Sequence, residues 1–203
     1  FICLIYLFWF LIFNRKTLIF SFQANAYAAI ISKLLGNKII TRSNSSSEGW
    51  SKNSLKKFLY KTLLKLPDQV LVNSYQFKLE LDKKFGIKSF VIYNPLNKSS
   101  IIKKSKERIN LKFFKKNNLK LLTIGRLVDQ KDHGTLLRSI NLLKNEKIQL
   151  LIIGNGSNKD KLERYIFEKN LISKVKIIPF QNNPHKYLKI ADIFLFTSKF
   201  EGL

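Results

Sequence analysis

Apolar positions along the chain form short continuous runs that alternate with longer stretches of helical spacing. Runs that predict buried strands in the first half are 17–22, 38–41, 70–72 and 90–93. Stretches with apolar residues three and four positions apart, which predict helices, are 24–35, 55–66 and 74–84. Gly36, Pro67 and Gly86 stand where these helices are expected to end. This alternation predicts a parallel sheet covered by helices.

The second half of the chain repeats the alternation. Predicted strands are 119–124, 149–153, 175–178 and 193–197, and predicted helices are 133–144, 159–169 and 184–190. A polar, basic stretch separates the halves, so we predict a domain at 1–97, a basic linker at 98–118 and a second domain at 119–203. The predicted fold class is α/β, with two doubly wound, Rossmann-like domains. Both are expected to be incomplete, because the chain has no Met and ends after a strand-like run that nothing closes.

Two apolar stretches leave alternatives open. Residues 1–13 are wholly apolar, but about 20 residues are needed to span a bilayer. We expect a buried helix there; a membrane-contacting segment and a truncated span are the alternatives. The helix at 55–66 is expected to place its Leu and Phe face on the core with lysines around it, although a Lys-ringed helix could also lie on an anionic membrane.

Composition adds a strong positive charge to this picture. The formal net charge is +24, and 45% of the residues are hydrophobic, which is a globular composition. Such a charge suggests nucleic acid or an anionic membrane as a partner, yet it is spread along the chain and no nucleic-acid-binding motif accompanies it. The single Cys3 excludes an intrachain disulfide framework and fits a cytoplasmic location.

Candidate chemistry lies directly after the strands, because ligands bind at the carboxyl ends of open parallel sheets. Gly125-Arg126 follows the first strand of the second half, and Lys131 comes five residues after Arg126. These two cations could neutralise a diphosphate, Arg with a planar fork and Lys with a point charge. A solvated loop is the alternative.

The other strand ends carry weaker signals. In Gly154-Asn155-Gly156 the glycines let backbone approach a ligand, but Lys159 stands where a dinucleotide fingerprint has its third glycine, so a plain tight turn is the alternative. Glu201 is the carboxylate of the last loop and precedes Gly202, whose main chain could approach an anion; an exposed loop acid is the alternative.

The remaining polar candidates are expected to be structural. His133 and His185 belong to no triad or metal-ligand pattern, so we predict no metal site. Asp192, just before a buried strand, is expected to be a turn or capping acid.

Taken together, several segments resemble the donor domain of retaining glycosyltransferases of the GT-B fold, family 4 type. They are Ile124-Gly125-Arg126-Leu127, Gln130-Lys131-Asp132, Leu151-Ile152-Ile153-Gly154-Asn155-Gly156, Ala191-Asp192-Ile193 and Ser198-Lys199-Phe200-Glu201-Gly202-Leu203. Segments 72–74 and 91–95 are similar to the last elements of that family's acceptor domain, and 21–23 and 41–44 more loosely to its earlier strand ends.

The resemblance implies specific roles. Arg126 and Lys131 would bind the nucleotide diphosphate, and Glu201 would contact the transferred sugar. Main chain of Gly202 and Leu203 would approach the phosphates. The remaining substrate-binding positions implied are Gly125, Gly154, Asn155, Phe180 and Gln181, the last two near the base.

The implied activity is metal-independent and cofactor-free. It moves a hexose-type sugar from a nucleotide-diphosphate donor to a glycan or lipid-linked acceptor with retention of the anomeric configuration. The expected location is the cytoplasm, with the inner face of the membrane as a further contact. A second Glu of the family's paired motif would lie beyond Leu203, and Gln23 occupies the region where many relatives carry a histidine, so the fragment is expected to be inactive. The alternative function is a basic nucleic-acid-binding α/β protein.

Overall fold

The computed structural model describes residues 2–44, 54–199 and 201. The chain divides into two compact units, of which the first runs up to Pro95 and the second from Leu96 to Lys199. Glu201 is grouped with the first unit. Each unit contains a four-stranded sheet in which all paired strands are parallel. The predicted α/β class is therefore confirmed.

The first unit follows the predicted order of strands and helices. Its elements are α1 (Ile2–Phe13), β1 (Leu18–Ser21), α2 (Asn25–Leu34), β2 (Lys38–Ser43), α3 (Ser54–Leu63), β3 (Gln69–Val72), α4 (Tyr75–Glu80) and β4 (Ser89–Val91). The described strands lie in chain order, β1-β2-β3-β4. A π-helical turn at Leu81–Phe85 follows α4 and ends at Gly86, whose φ of +61° favours glycine.

Two apolar surfaces of the first unit are more exposed than the sequence predicts. Residues 2–13 form a helix, but Leu11 alone among the described residues of α1 is buried. Phe58 and Leu59 of α3, expected on the core, are exposed. The burial expected for α1 and for these two residues of α3 is therefore wrong, because an apolar pattern does not say which face has a neighbour, whereas Leu66 packs against the core as expected. Among the described helices, none has the length and apolarity to cross a membrane.

The second unit begins with a helix inside the stretch predicted to be a linker. Its elements are α5 (Lys98–Ser105), β5 (Leu119–Ile124), α6 (His133–Leu142), β6 (Ile148–Ile153), α7 (Lys159–Glu168), β7 (Val175–Ile178), α8 (His185–Ile190) and β8 (Ile193–Phe194). The strand order is β7-β6-β5-β8. The chain thus steps outward from β5 in one direction and then returns to its other side, as in doubly wound folds.

Strand β6 forms the centre of the second unit's core and is buried at every position. Its apolar side chains alternate between two clusters, one with α6 and α7 and the other with α8 and the segment 109–114. Both faces of the sheet are therefore covered, which explains why the strand is a nearly continuous apolar run.

Gln149 is the polar exception in β6, and it is fully hydrogen-bonded. Its side-chain nitrogen donates to the carbonyl oxygens of Phe113 (3.0 Å) and Ser173 (3.1 Å), and its oxygen accepts from the Lys115 amide (2.7 Å). These bonds attach the segment before β5 to the sheet, so part of the stretch 98–118 packs within the second unit.

Candidate functional site

The strand order of the second unit places a reversal point between β5 and β8. In doubly wound sheets, ligands bind beside the carboxyl ends of the two strands where the order reverses. Gly125 and Arg126 follow β5, and Phe196 and Thr197 lie shortly after β8. The loop from Gly125 to Asp132 therefore lies at the point where this fold class forms a binding crevice.

Lys131 is held between the ends of these two strands. Its side-chain carbons lie 3.6 Å from the position of a Cβ on Gly125, an ordinary van der Waals distance, so the lysine side chain lies over this glycine. Its ammonium lies 5.1 Å from the centroid of the Phe196 ring, within the range of a cation–π contact. Thr197 donates its hydroxyl proton to the carbonyl oxygen of Lys131 at 3.0 Å, which fixes the backbone at the same place.

Arg126 is exposed at the start of this loop. Its Nη2 donates to Oε1 of Gln130 at 3.4 Å, a long hydrogen bond that leaves much of the guanidinium facing solvent. The backbone around it is fixed, because the Val128 amide donates to the Arg126 carbonyl at 2.9 Å. The loop thus presents one exposed and one partly buried cation after the same strand.

The glycines after β6 pack against the loop after β5. A Cβ on Gly154 would overlap the carbonyl oxygen of Gly125, and a Cβ on Gly156 would lie 2.6 Å from the carbonyl carbon of Leu127. The Leu127 amide donates to the Asn155 carbonyl at 2.9 Å, and the Asn158 amide donates to the Leu127 carbonyl at 2.9 Å. These glycines are therefore required for contact between two loops.

Asn155 differs from its glycine neighbours because its side chain is exposed. Phe180 and Gln181 follow β7, two strands away from β5. Phe180 is exposed, and Gln181 is fixed by bonds to the Pro179 carbonyl (3.1 Å) and the Tyr187 hydroxyl (3.0 Å). All these residues lie at the carboxyl edge of the same sheet.

Asp132 connects the loop to helix α6. Its φ is +47°, and its carboxylate accepts bonds from the Thr135 amide (3.3 Å) and the Thr135 hydroxyl (2.8 Å), which caps the helix. The Thr135 hydroxyl is the main cause that holds the pKa of Asp132 below its usual value, with the Lys199 and Arg138 charges adding to it. The carboxylate is therefore ionised at neutral pH.

His133 is buried at the first position of α6. Burial lowers its pKa, and the positive charge of Lys131 lowers it further, against a smaller opposite effect of Asp132. The imidazole is therefore neutral at neutral pH. Its Nδ1 has no hydrogen-bond partner among the described residues. His133 also lines a cleft of about 470 Å³ between α6 and α7, together with Arg138, Lys161 and Lys199.

Asp192 has the structural role that the sequence predicts. Its Oδ2 accepts from the Lys120 amide at 2.7 Å, which ties the start of β8 to β5. Throughout the part of the chain that the structure describes, His, Cys, Asp and Glu side chains do not gather in groups of three.

Residues 104–203 match the family described as Glycosyl transferases group 1. The match covers the loop after β5, the glycines after β6 and the end of the chain. The matched residues include the segments of the second half of the chain that resemble the glycosyltransferase donor domain.

Relatives extend the likeness to nearly the whole chain. A Campylobacter jejuni protein, N-acetylgalactosamine-N,N'-diacetylbacillosaminyl-diphospho-undecaprenol 4-alpha-N-acetylgalactosaminyltransferase, is 34% identical over 186 residues, which cover 87% of this chain and 49% of that protein. The amylovoran biosynthesis glycosyltransferase AmsD of Erwinia amylovora is 28% identical over 188 residues, 89% of this chain and 51% of that protein. The chain therefore spans about half the length of these relatives.

Solved structures show the same fold at lower identity. Anabaena Alr3699/HepE in complex with UDP and glucose has a TM-score of 0.69 at 18% identity, covering 88% of this chain and 52% of that one. A glycosyltransferase from Rickettsia africae has a TM-score of 0.67 at 18% identity, covering 96% of this chain and 55% of that one. The GT-B type fold expected from the sequence is thus confirmed by its structural neighbours.

Within this glycosyltransferase fold, the predicted site residues separate into three groups. Gly125, Arg126 and Lys131 lie together in one loop. Asn155, Phe180 and Gln181 lie at neighbouring strand ends, whereas Gly154 is buried under Gly125. Glu201 is partly buried and grouped with the first unit, and the predicted contacts of Gly202 and Leu203 lie outside the described residues.

Two residues of this candidate site are not indicated by the sequence pattern alone. Phe196 contacts Lys131, which lies 65 positions earlier in the chain. The Thr197 hydroxyl donates to the carbonyl oxygens of Lys131 and Asp132, which lie 66 and 65 positions earlier. Both belong to the run 193–197 that predicts a strand, whereas β8 ends at Phe194 and leaves them in the segment after it. The pairing of that strand with β5 is a property of the sheet order and could not be taken from local spacing.

Proposed function

We propose that the chain is part of a retaining, metal-independent glycosyltransferase that moves a hexose-type sugar from a nucleotide-diphosphate donor to a glycan or lipid-linked acceptor. The observation that carries the proposal is the position of Arg126 and Lys131 after β5, at the reversal point of the second sheet. Departure of a nucleoside diphosphate develops negative charge, which fixed cations stabilise.

Lys131 is suited to receive a diphosphate because its position is already fixed. The ring of Phe196 and the space over Gly125 hold its side chain, so little conformational freedom is lost on binding. Arg126 is exposed and can turn its planar guanidinium to two phosphate oxygens. Together they supply two positive charges without a bound cation, and this is the basis for proposing metal independence and no cofactor.

The remaining roles are proposed from the same edge of the sheet and from the family resemblance. Phe180 and Gln181 would lie near the base, and main chain at Gly125, Gly154 and Asn155 would border the phosphates. Glu201 would contact the transferred sugar, with main chain of Gly202 and Leu203 next to the phosphates. Because the chain spans about half of its relatives, we expect the 203 residues alone to be inactive.

The names of the relatives support both proposed substrates. The Campylobacter relative is named for transfer of N-acetylgalactosamine to a sugar on diphospho-undecaprenol, and the Anabaena structure contains UDP and glucose. A lipid-linked acceptor and a UDP-sugar donor are therefore the first substrates to test. The alternative, a nucleic-acid-binding protein, is supported by the net charge of +24. The relatives named above are glycosyltransferases, which favours the enzyme.

The decisive experiment is nucleotide binding by the full-length protein that carries this chain. Isothermal titration with UDP, GDP and ADP in the presence of EDTA should give saturable binding of at least one of them. The same protein should then transfer a radiolabelled sugar from the corresponding nucleotide sugar to lipid-linked acceptor in membrane extract. Failure to bind any of the three nucleotides would overturn the proposal.

We also propose contact with the cytoplasmic face of an anionic membrane. Exposed apolar side chains on α1 include Ile5, Tyr6 and Trp9, and the basic pair Arg15 and Lys16 follows the helix. Aromatic side chains and cations at such a position favour the boundary between lipid headgroups and hydrocarbon. This contact would bring the enzyme to the surface where a lipid-linked acceptor lies.

A further inference from the structure

Helices α6 and α7 border a cleft that the proposed nucleotide site does not use. Its volume is about 470 Å³, which is within the range of small-molecule sites. Arg126 and Lys131, both within the described part of the chain, do not line it. The charged residues that do line it are Asp129, Asp132, Arg138, Lys161, Arg164, Glu168 and Lys199.

Four cations from three segments of the chain meet at this cleft. Arg138 lies on α6, and Lys161 and Arg164 lie three positions apart on α7, on one face of that helix. Lys199 follows β8 and is held beside the loop before α6, because its amide donates to the Gln130 carbonyl at 2.9 Å. Like charges placed close together repel, so the arrangement favours a ligand of opposite charge.

The carboxylates of the cleft leave these cations available. Oδ1 of Asp129 accepts from Nδ2 of Asn158 at 2.8 Å, and the Asp132 carboxylate accepts from Thr135. Glu168, the third, is exposed at the end of α7. Among the residues that the structure describes, none of the four cations forms an ion pair with a carboxylate. They are therefore open to an anion from solution.

Gly134 brings the Arg138 guanidinium to the start of α6. The position of a Cβ on Gly134 is 3.6 Å from Nη1 of Arg138 and 3.8 Å from Oδ1 of Asp132. Nη2 of Arg138 donates to the Thr135 hydroxyl at 2.6 Å, which orients the guanidinium. After the bonds from Thr135, the charges of Lys199 and Arg138 lower the pKa of Asp132, so both cations lie at this end of the cleft. A planar guanidinium and an ammonium placed together can bind one phosphate group.

The floor of the cleft is apolar. Leu137 is fully buried, Leu162 is 5% exposed, and the ring of Tyr165 packs against the same core. A small ligand can therefore rest its carbon skeleton on this floor while its charged group faces the cations.

We propose that the cleft between α6 and α7 binds a phosphate group, either free or carried by a small molecule, at a site separate from the nucleotide site. The guanidinium groups of Arg138 and Arg164 and the ammonium groups of Lys161 and Lys199 bind its oxygens. This site goes beyond the proposed glycosyltransferase function and does not depend on it.

Isothermal titration of the full-length protein that carries this chain tests the site. The probes are glucose 6-phosphate, inorganic phosphate and the uncharged glucose, all at constant ionic strength because salt screens exposed charges. We expect saturable binding of at least one phosphate probe and none of glucose. Tighter binding of glucose 6-phosphate assigns the ligand to a phosphate ester, and equal affinity assigns it to the free ion.

Variants of the cleft cations should weaken this binding. Arg138→Gln with Arg164→Gln removes two charge-assisted contacts and should raise the Kd at least about tenfold. Lys161→Gln with Lys199→Gln is the second variant and should act in the same direction. All four side chains are exposed, so we expect the fold to be retained, and urea midpoints check this.

Two controls separate the cleft from overall charge and from the nucleotide site. Lys144→Gln with Lys147→Gln removes the same charge outside the cleft and should leave phosphate affinity unchanged. Arg126→Ala with Lys131→Ala should also leave it unchanged, because neither residue lines the cleft.

His133 provides a spectroscopic readout inside the cleft. Burial and then the charge of Lys131 lower its pKa, and a phosphate bound nearby should raise that pKa. Its Cε1–H proton resonance, assigned by its loss in His133→Asn, should therefore shift saturably with phosphate at constant pH. His185 is the control, because it lies on α8, which covers the other face of the sheet.

Each outcome decides the proposal. Phosphate binding that shifts the His133 resonance and is weakened by Arg138→Gln with Arg164→Gln supports it. Absence of saturable binding for both phosphate probes, equal affinity for glucose, or an equal loss in either control overturns it. Nucleotide binding is measured separately, so failure here is distinct from failure of the glycosyltransferase proposal.

Discussion

Gly154 lies against the carbonyl group of Gly125, so closely that a Cβ on Gly154 would overlap the oxygen and lie 3.0 Å from the carbonyl carbon. Both groups are backbone at the ends of adjacent paired strands and cannot move aside as a side chain could. The Gly125 amide also donates to the Ile153 carbonyl at 3.0 Å. The glycine after β6 therefore determines where the loop carrying Arg126 lies.

Replacing Gly154 by alanine should destabilise the second unit. The methyl group would force backbone apart at the centre of the sheet, which should lower the free energy of unfolding by about 1–3 kcal/mol. Urea denaturation followed by circular dichroism measures the change. Gly134→Ala is the matched control, because its Cβ in helix α6 would come no closer than 3.6 Å to the neighbouring Arg138 side chain. Equal midpoints for the two variants would contradict the close-packing interpretation.

Removing both cations of the β5 loop should weaken nucleotide binding. Arg126→Ala with Lys131→Ala loses two charge-assisted contacts to a diphosphate, which corresponds to about a 100-fold rise in Kd for the nucleotide that binds the full-length protein. The control, Lys144→Ala with Lys147→Ala, removes the same charge near the amino ends of β5 and β6. Isothermal titration should show unchanged affinity for the control. Similar losses in both double variants would mean that overall charge, not this site, attracts the nucleotide.

Phe196 should affect nucleotide binding through Lys131. Phe196→Ala removes the ring that lies under the ammonium, and we expect about a 2- to 5-fold rise in Kd from the loss of one exposed cation–π contact. Phe167→Ala, which removes an exposed ring from α7, is the control. In the Lys131→Ala background, Phe196→Ala should have no further effect. An additive loss there would show that Phe196 acts independently of the lysine.

Acid should remove the stabilising effect of the Asp132 cap. Because its pKa is lowered in the folded protein, the carboxylate stabilises the fold above the unfolded pKa of about 3.9, and this contribution is lost as pH falls through the lower folded value. Asp132→Ala should therefore reduce stability by about 1 kcal/mol at pH 7. Urea midpoints at pH 7 and at the lowest pH where the protein stays folded test this. If the difference in urea midpoint between Asp132→Ala and the parent protein does not shrink in acid, the carboxylate charge is not involved.

Contact with anionic membranes can be tested through Trp9. In a Trp50→Phe background, Trp9 is the remaining tryptophan of the chain, and its emission should shift to shorter wavelength with vesicles containing phosphatidylserine. Ile5→Ser should reduce co-sedimentation with these vesicles, and phosphatidylcholine vesicles should bind less because they lack the anionic headgroups. Binding that ignores the anionic lipid content would remove the proposed role of Arg15 and Lys16.

The sequence was a good guide to local structure in the second half. Strand β5 and strand β7 have the predicted bounds, and α6 and α7 begin at the predicted residues, His133 and Lys159. These elements have strong periodicity and clear capping signals, which act over a few residues. The burial of α1 and of Phe58 was not predictable in the same way, because it depends on what packs beside them.

The sequence by itself determined the alternation of strands and helices and the positions of the cations after β5, since both are properties of neighbouring residues. Only the tertiary structure decided that β8 lies beside β5, and so brought Phe196 to Lys131. It also decided that Gly154 serves contact between loops, and that Lys199 lines the same cleft as Arg138. These relationships join residues that are distant in the chain, and they follow from the order and register of strands, which local side-chain preferences do not encode.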